Sequence, residues 1–68
     1  MTQDQLRQAF GELNGERDTA LYFLQCPHPL VVSNALLIPE EPDEVVKLTD
    51  GQKVYLIDAE RIAWVEIG

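Results

Sequence analysis

Apolar residues in the N-terminal segment recur at a helical period. Thr2 followed by Gln5 matches the capping-box pattern of a helix start, and Asn14 with Gly15 supplies a stop. The pattern predicts a helix over residues 3–14 that lies against the rest of the protein. Its apolar stripe falls at spacings of three and four residues and consists of Leu6, Ala9, Phe10 and Leu13.

Beyond Gly15 the pattern changes from that of a helix to that of strands. Five segments rich in β-branched, aliphatic and aromatic residues are separated by prolines, glycine or acidic turns. Pro27 and Pro29 end the first segment because proline cannot donate to a sheet, and Asp50 with Gly51 is a strong hairpin signal. The strands are predicted at residues 20–25, 30–38, 45–49, 53–57 and 61–67.

The last two predicted strands are apolar on both faces, unlike strands with one face in water. Regular alternation predicts Ile62 and Trp64 on one face of the last strand, with residues 63, 65 and 67 on the other. A five-stranded sheet made from 68 residues cannot bury both faces within one chain, so this surplus indicates contact with another subunit. The predicted interface residues are Val54, Tyr55, Leu56, Ile57, Ile62, Ala63, Trp64, Val65 and Ile67.

Length and composition describe one small folded domain over residues 1–68. A hydrophobic fraction of 46% is normal for a globular domain and too high for a disordered acidic tail. Cys26 is the one cysteine, so an internal disulfide is excluded, and oligomerisation is the remaining route to extra stability. The N-terminus lacks the apolar region of a signal peptide, and no apolar run could span a bilayer. The expected location is the cytoplasm, with no membrane partner.

The chain is acidic, with twelve acidic and five basic residues and a net charge of −7. This balance opposes binding to phosphate backbones, where affinity comes largely from Lys and Arg. Two charged loops are candidates for facing a ligand. The first, over residues 40–44, lacks the spacing of a calcium loop, and a solvated role is favoured for it. The residues of the two loops are Glu40, Glu41, Asp43, Glu44, Asp58, Glu60 and Arg61.

Candidate catalytic chemistry is sparse. Cys26 and His28 offer two metal ligands, but a closed site needs four, and as a nucleophile and base they lack an orienting residue. Trp64 and Tyr55 could stack on nucleobases, although core or interface packing is favoured. We therefore predict no catalytic residue, metal site or cofactor, and a stand-alone enzyme is disfavoured.

The order of one helix and five strands, with a tight turn before the last, resembles the Sm-like (LSm) family of small β-barrels, including its bacterial RNA-chaperone branch. Residues 54–65 resemble the family's second motif: an aliphatic strand, a short polar turn and an aliphatic strand. The resemblance implies a mainly β fold, in which an N-terminal helix packs on a five-stranded, strongly bent antiparallel sheet of Sm-like or SH3-like type. It also implies a closed homo-oligomeric ring of about five to seven subunits.

The chain departs from the family where Sm proteins contact RNA. Their loop between the second and third strands carries an Asp and Asn pair, whereas residues 39–44 contain no Asn. Their last turn carries Arg-Gly, or Lys-His in the bacterial branch, whereas this chain has Asp58 and Ala59. The resemblance therefore favours a non-enzymatic ring-forming scaffold, associated with RNA only through a divergent surface. The alternative is a small acidic protein that binds and blocks a basic partner, such as a nucleic-acid enzyme.

Overall fold

The computed structural model describes all residues 1–68 and contains six short strands and one α-helix. The strands form two three-stranded antiparallel sheets, ordered β2-β1-β6 and β3-β4-β5. The predicted mainly β class with an N-terminal helix is confirmed, but six strands in two sheets replace the predicted single five-stranded sheet. The one α-helix has eight residues, which is too few to span a bilayer. The elements are α1 (Gln3–Phe10), β1 (Thr19–Phe23), β2 (Leu30–Val32), β3 (Leu36–Leu37), β4 (Val46–Thr49), β5 (Val54–Ile57), a 3-10 helix (Ala59–Arg61) and β6 (Ile62–Ile67).

The strand predicted over residues 30–38 is divided into β2 and β3 at Asn34. Asn34 has a φ of 51°, a left-handed conformation that interrupts a strand. Its N–H donates to Asp18 Oδ1 at 3.1 Å, and the next N–H, of Ala35, donates to the Arg17 carbonyl at 2.8 Å. These bonds fix the turn against the segment before β1 and direct the chain from one sheet into the other.

Helix α1 begins as predicted and ends at Phe10 instead of residue 14. Thr2 Oγ1 accepts the Gln5 N–H at 3.1 Å, and Gln5 Oε1 accepts the Thr2 N–H at 3.0 Å, so the capping box is complete. Gly11 follows Phe10 as the C-cap. The Leu13 N–H then donates to the Phe10 carbonyl at 3.0 Å, three residues back, so the chain leaves the α-helical bonding pattern at this point, next to a glycine that favours a helix weakly.

One hydrophobic core joins both sheets and the helical segment. Leu6 and Phe10 of α1 are completely buried, and Leu13 is buried although it lies beyond the helix end. Helix α1 contacts β3, β4 and the 3-10 helix, so its apolar stripe covers the core as predicted. The other core residues are Leu21, Val32, Ala35, Val46, Leu48, Ile57, Ala59 and Ile62.

A β-bulge changes the direction of side chains in β6. Tyr22 lies opposite Trp64 and Phe23 lies opposite Ile62, so Ala63 is an extra residue without a partner on β1. Ile62 is therefore buried while Ala63 and Trp64 are both exposed. The predicted alternation, which placed Trp64 on the same face as Ile62, is wrong because the extra residue interrupts it.

Candidate interaction surface

Five of the nine predicted interface residues belong to the core of their own chain or pack against it. Ile57 and Ile62 are buried. Tyr55, Val65 and Ile67 are half-buried and pack against the same core. A chain of this length needs these side chains for its own interior, so they offer less surface to a partner than the sequence pattern indicated.

The other four predicted interface residues face solvent. Leu56 and Val54 on β5 are 66% and 53% exposed, and Trp64 on β6 is 52% exposed, with Ala63 beside it. The strands β5 and β6 are each the last strand of a sheet. The exposed apolar side chains therefore flank strand edges that pair with no other strand.

The outer edge of β6 presents free backbone groups. Asp18 and Gly68 exchange two backbone hydrogen bonds, of 3.3 and 3.1 Å. Such pairs alternate along an antiparallel ladder. The N–H and C=O groups of Val65 and Ile67 therefore point away from β1 and are available to another strand.

The outer edge of β5 has the same property. The Ile38 N–H donates to the Lys47 carbonyl at 3.0 Å, which shows that the backbone of Lys47 faces β3. Its neighbours in β4 consequently face β5, and by alternation the backbone groups of Val54 and Leu56 point away from β4. An exposed edge of this kind is a template for strand pairing.

An aromatic pair with a shared carboxylate lies on the outer face of the β2-β1-β6 sheet. The rings of Tyr22 and Trp64 stack with centroids 4.3 Å apart and planes inclined by 10°. Glu66 Oε1 accepts the Tyr22 hydroxyl at 3.2 Å, and Glu66 Oε2 accepts the Trp64 Nε1–H at 3.4 Å. Loss of solvation, followed by the charge of Glu66 and its hydrogen bond, raises the pKa of Tyr22.

Sequence reasoning considered Trp64 together with Tyr55 and did not single out Tyr22 or Glu66. Tyr55 points inward, where its hydroxyl donates to Asp50 Oδ2 at 3.0 Å. The partner of Trp64 is set by the pairing of β1 with β6, which local sequence patterns do not contain. The i, i+2 spacing of Trp64 and Glu66 was the one available signal, because residues two apart in a strand share a face.

A shallow groove of ≈630 Å³ lies between α1 and β6, beside the unpaired edge of β6. We call it the α1–β6 groove. Five of its seven lining residues are hydrophobic, and the other two are glutamines. The ammonium group of Met1 donates to the Ala59 and Ile62 carbonyls at 3.1 and 3.3 Å, so it is held by the chain's own backbone. The lining residues are Met1, Gln5, Gln8 and Ala9 on one side and Ala63, Trp64 and Val65 on the other.

The acidic loop before β4 forms ion pairs with Lys47 of the same chain. Lys47 Nζ lies 2.6 Å from both Glu41 Oε1 and Asp43 Oδ2. The hydrogen bond from Lys47 is the main cause of the lowered pKa of Asp43, and the bonds to Asp43 and Glu41 raise the pKa of Lys47. Glu40 and Glu44 are exposed and make no ion pair, so they are the loop's free carboxylates.

The turn before β6 uses its charged residues locally. Asp58 Oδ1 accepts the Glu60 N–H at 3.2 Å and so caps the 3-10 helix. Asp58 Oδ2 lies 3.4 Å from Arg61 Nε. All three side chains are exposed, and Asp58 and Glu60 line a second groove of ≈320 Å³ next to Leu56.

Cys26 and His28 lie in the exposed segment between β1 and β2. The Cys26 thiol donates to the backbone carbonyl of His28 at 3.4 Å. No group of three or more His, Cys, Asp or Glu side chains is arranged to hold a metal ion. In this structure the Cys26 thiol is thus engaged with the backbone of its own turn.

No protein-family model, no curated protein and no solved structure matches this chain.

Proposed function

We propose that the protein is a non-enzymatic scaffold of Sm-like type that self-associates into a closed ring of about five to seven subunits. The observation that carries this proposal is the pair of unpaired edges on β5 and β6. The β5 edge of one copy can pair with the β6 edge of the next. Such a head-to-tail contact closes into a ring when the rotation between copies allows it.

The strand order supports an Sm-like or SH3-like arrangement. Only residues 33–35 separate β2 from β3, so the order β6-β1-β2 continues through the Asn34 turn into β3-β4-β5. A single bent strand crossing between the two halves would give the five-stranded sheet that the resemblance implies. In that sheet β5 and β6 are the two outermost strands.

Apolar burial adds to the backbone pairing. Val54, Leu56 and Trp64 are the large exposed apolar side chains of the two outer strands. Burying one such side chain fully contributes about 1.5–3 kcal/mol, so three of them offset part of the cost of association. Pairing also removes two edges that would otherwise invite disordered aggregation.

Sedimentation equilibrium of the wild-type protein tests the proposal. A ring predicts a several-fold multiple of the 7.7 kDa chain mass. Leu56→Lys should give smaller species, because it places a charge beside the β5 edge. Val31→Lys is the matched control, since Val31 is also about half exposed but lies on β2, which β1 separates from β6 and which is in the other sheet from β5. A wild-type chain that stays monomeric at high micromolar concentration rules out the ring.

RNA contributes little to this proposal. The exposed Glu40 and Glu44 lie where a family member would present base-reading residues, and like charges repel phosphate.

The exposed Cys26 thiol suits a reducing compartment such as the cytoplasm.

The alternative function, binding and blocking a basic partner, is favoured by one observation. Lys47 and Arg61 form ion pairs within the chain, and Arg7 Nη2 donates to the Val45 carbonyl at 3.1 Å. Three of the five basic side chains are thus engaged internally, while the chain keeps a net charge of −7. That excess negative charge is available to a basic partner.

A further inference from the structure

We propose that the α1–β6 groove binds an extended, arginine-containing segment of another protein, with one guanidinium stacked on Trp64 beside Glu66. This inference rests on the alternative function and gives it a surface and a partner chemistry. It does not require that the protein self-associates.

The two aromatic rings are held in a fixed position before any ligand binds. Tyr22 covers one face of the Trp64 ring, and both polar edges are bound to the Glu66 carboxylate. The side chain of Trp64 nevertheless remains 52% exposed and lines the groove. Since the rings are already held in place, little side-chain freedom is lost when a ligand stacks on them.

Trp64 and Glu66 favour a cation at the end of the groove away from the Ala59 and Ile62 carbonyls, which already hold the Met1 ammonium. Tryptophan is the aromatic side chain that best attracts a cation to its face, and Glu66 adds a carboxylate at the ring edge. The outward-facing positions of the β2-β1-β6 sheet carry no basic side chain; they are Ala20, Tyr22, Val31, Trp64 and Glu66, with the bulge residue Ala63. Phosphate would be repelled, which disfavours a nucleobase attached to a nucleic-acid backbone.

Arginine fits this surface better than lysine. Its guanidinium is planar, so it can stack on the indole and donate hydrogen bonds to a carboxylate at the same time. Its aliphatic stem packs on apolar surface while the charged end stays accessible to solvent. Ala9, Ala63 and Val65 provide that apolar surface in the groove.

The groove also suits an extended backbone. It runs beside the edge of β6 where the N–H and C=O groups of Val65 point outward, so a peptide can add as a strand. The side-chain amides of Gln5 and Gln8 on the opposite wall can accept or donate further hydrogen bonds. Because the same edge is proposed for self-association, peptide and neighbouring copy exclude each other.

Fluorescence of Trp64, the one tryptophan of the chain, provides the test. An acetylated peptide of alternating valine and arginine is titrated against the same peptide with citrulline, which has the shape of arginine without the charge. We expect a saturable change in emission and roughly tenfold weaker binding of the citrulline peptide.

Glu66→Gln and Glu40→Gln form a matched pair, because each removes one exposed carboxylate. Glu66→Gln should weaken binding of the arginine peptide several-fold, and Glu40→Gln should change it little. Equal losses in the two variants, or equal binding of the citrulline peptide, overturn the proposal. So does an oligouridine that gives the same saturable change in Glu66→Gln, since that result identifies a nucleobase site.

The peptide titration and the sedimentation experiment fail independently. A monomeric protein that binds the arginine peptide removes the ring and keeps this inference. If the wild type forms a ring and neither the assembled wild type nor the dissociated Leu56→Lys variant binds the peptide, the ring stands and the peptide site is ruled out.

Discussion

Asp50 organises the hairpin between β4 and β5 through three hydrogen bonds. Its Oδ1 accepts the N–H groups of Gln52 and Lys53 at 2.8 Å each, and its Oδ2 accepts the Tyr55 hydroxyl. Gly51 supplies the positive φ of 94° that the turn requires. The bond from the Lys53 backbone leads the causes of the lowered pKa of Asp50, and the bond to Asp50 raises the pKa of Tyr55.

Stability at low pH should depend on this carboxylate. Because its pKa is lower in the folded than in the unfolded state, Asp50 contributes stability above the ordinary carboxyl range, and this contribution is lost as pH falls through the folded pKa. We expect the Tm of the wild-type protein to fall below roughly pH 4. Asp50→Asn, which keeps the Oδ1 acceptor, should fall less steeply. Circular dichroism melts measure this, and an equal flattening in Glu40→Gln contradicts the assignment.

Residue-level predictions from sequence succeed where the partners are close in the chain. The Thr2 and Gln5 capping box and the Asp50 and Gly51 turn were predictable, because each depends on residues within three positions. The contact between Tyr22 and Trp64 was not, because it depends on how β1 pairs with a strand more than forty residues away. The most distinctive part of the candidate site therefore appears only in the folded chain.

At the scale of elements, periodicity located the strands but not their interruptions. Every predicted strand overlaps an observed one, because alternation and turn residues are local signals. The left-handed Asn34 and the extra Ala63 were missed. Asparagine tolerates a left-handed conformation, but the bond that holds the Asn34 N–H comes from Asp18, sixteen residues earlier in the chain. Ala63 carries no turn signal at all.

Helix α1 should stabilise the fold mainly through Phe10. The side chain is completely buried, so Phe10→Ala should lower the free energy of unfolding by about 3–5 kcal/mol through lost burial and an unfilled cavity. For a domain of this size that lowers Tm by more than roughly 10 °C. Gln8→Ala, on the exposed side of the same helix, should leave Tm nearly unchanged.

Thermal melts followed by circular dichroism measure how much the burial of Phe10 stabilises the fold. If Phe10→Ala proves unfolded at every temperature, Phe10→Leu provides the intermediate case and should melt cooperatively at a lower Tm than the parent. A Phe10→Ala protein that melts within about 2 °C of the parent shows that packing of α1 against the core contributes little to stability.

At the scale of the whole molecule, charge and strand edges have opposite effects. The net charge of −7 makes copies repel one another, while the unpaired edges of β5 and β6 favour their pairing. Composition alone gives the first effect. The second depends on the strand order, which the sequence pattern does not contain. The predicted interface also included Ile57 and Ile62, which the structure buries in the core.

The same charge predicts weak binding to single-stranded RNA. Fluorescence anisotropy with uridine-rich and adenine-rich oligonucleotides should give dissociation constants above roughly 10 μM at physiological salt. Replacing the free carboxylates of the acidic loop, as Glu40→Lys with Glu44→Lys, should tighten binding by removing repulsion. Sub-micromolar affinity of the wild-type protein would mean that an RNA surface exists elsewhere on the chain.

The bulge at Ala63 gives β6 a different sensitivity to two kinds of mutation. An exposed alanine tolerates replacement by many side chains, so point substitutions there are nearly invisible to selection for folding. Deletion of Ala63 has a larger effect, because it removes the bulge and restores an uninterrupted strand. Either Trp64 and the residues after it exchange faces, or Ile62 leaves the core. The number of residues between the 3-10 helix and Trp64 therefore matters more for the fold than which residue occupies position 63.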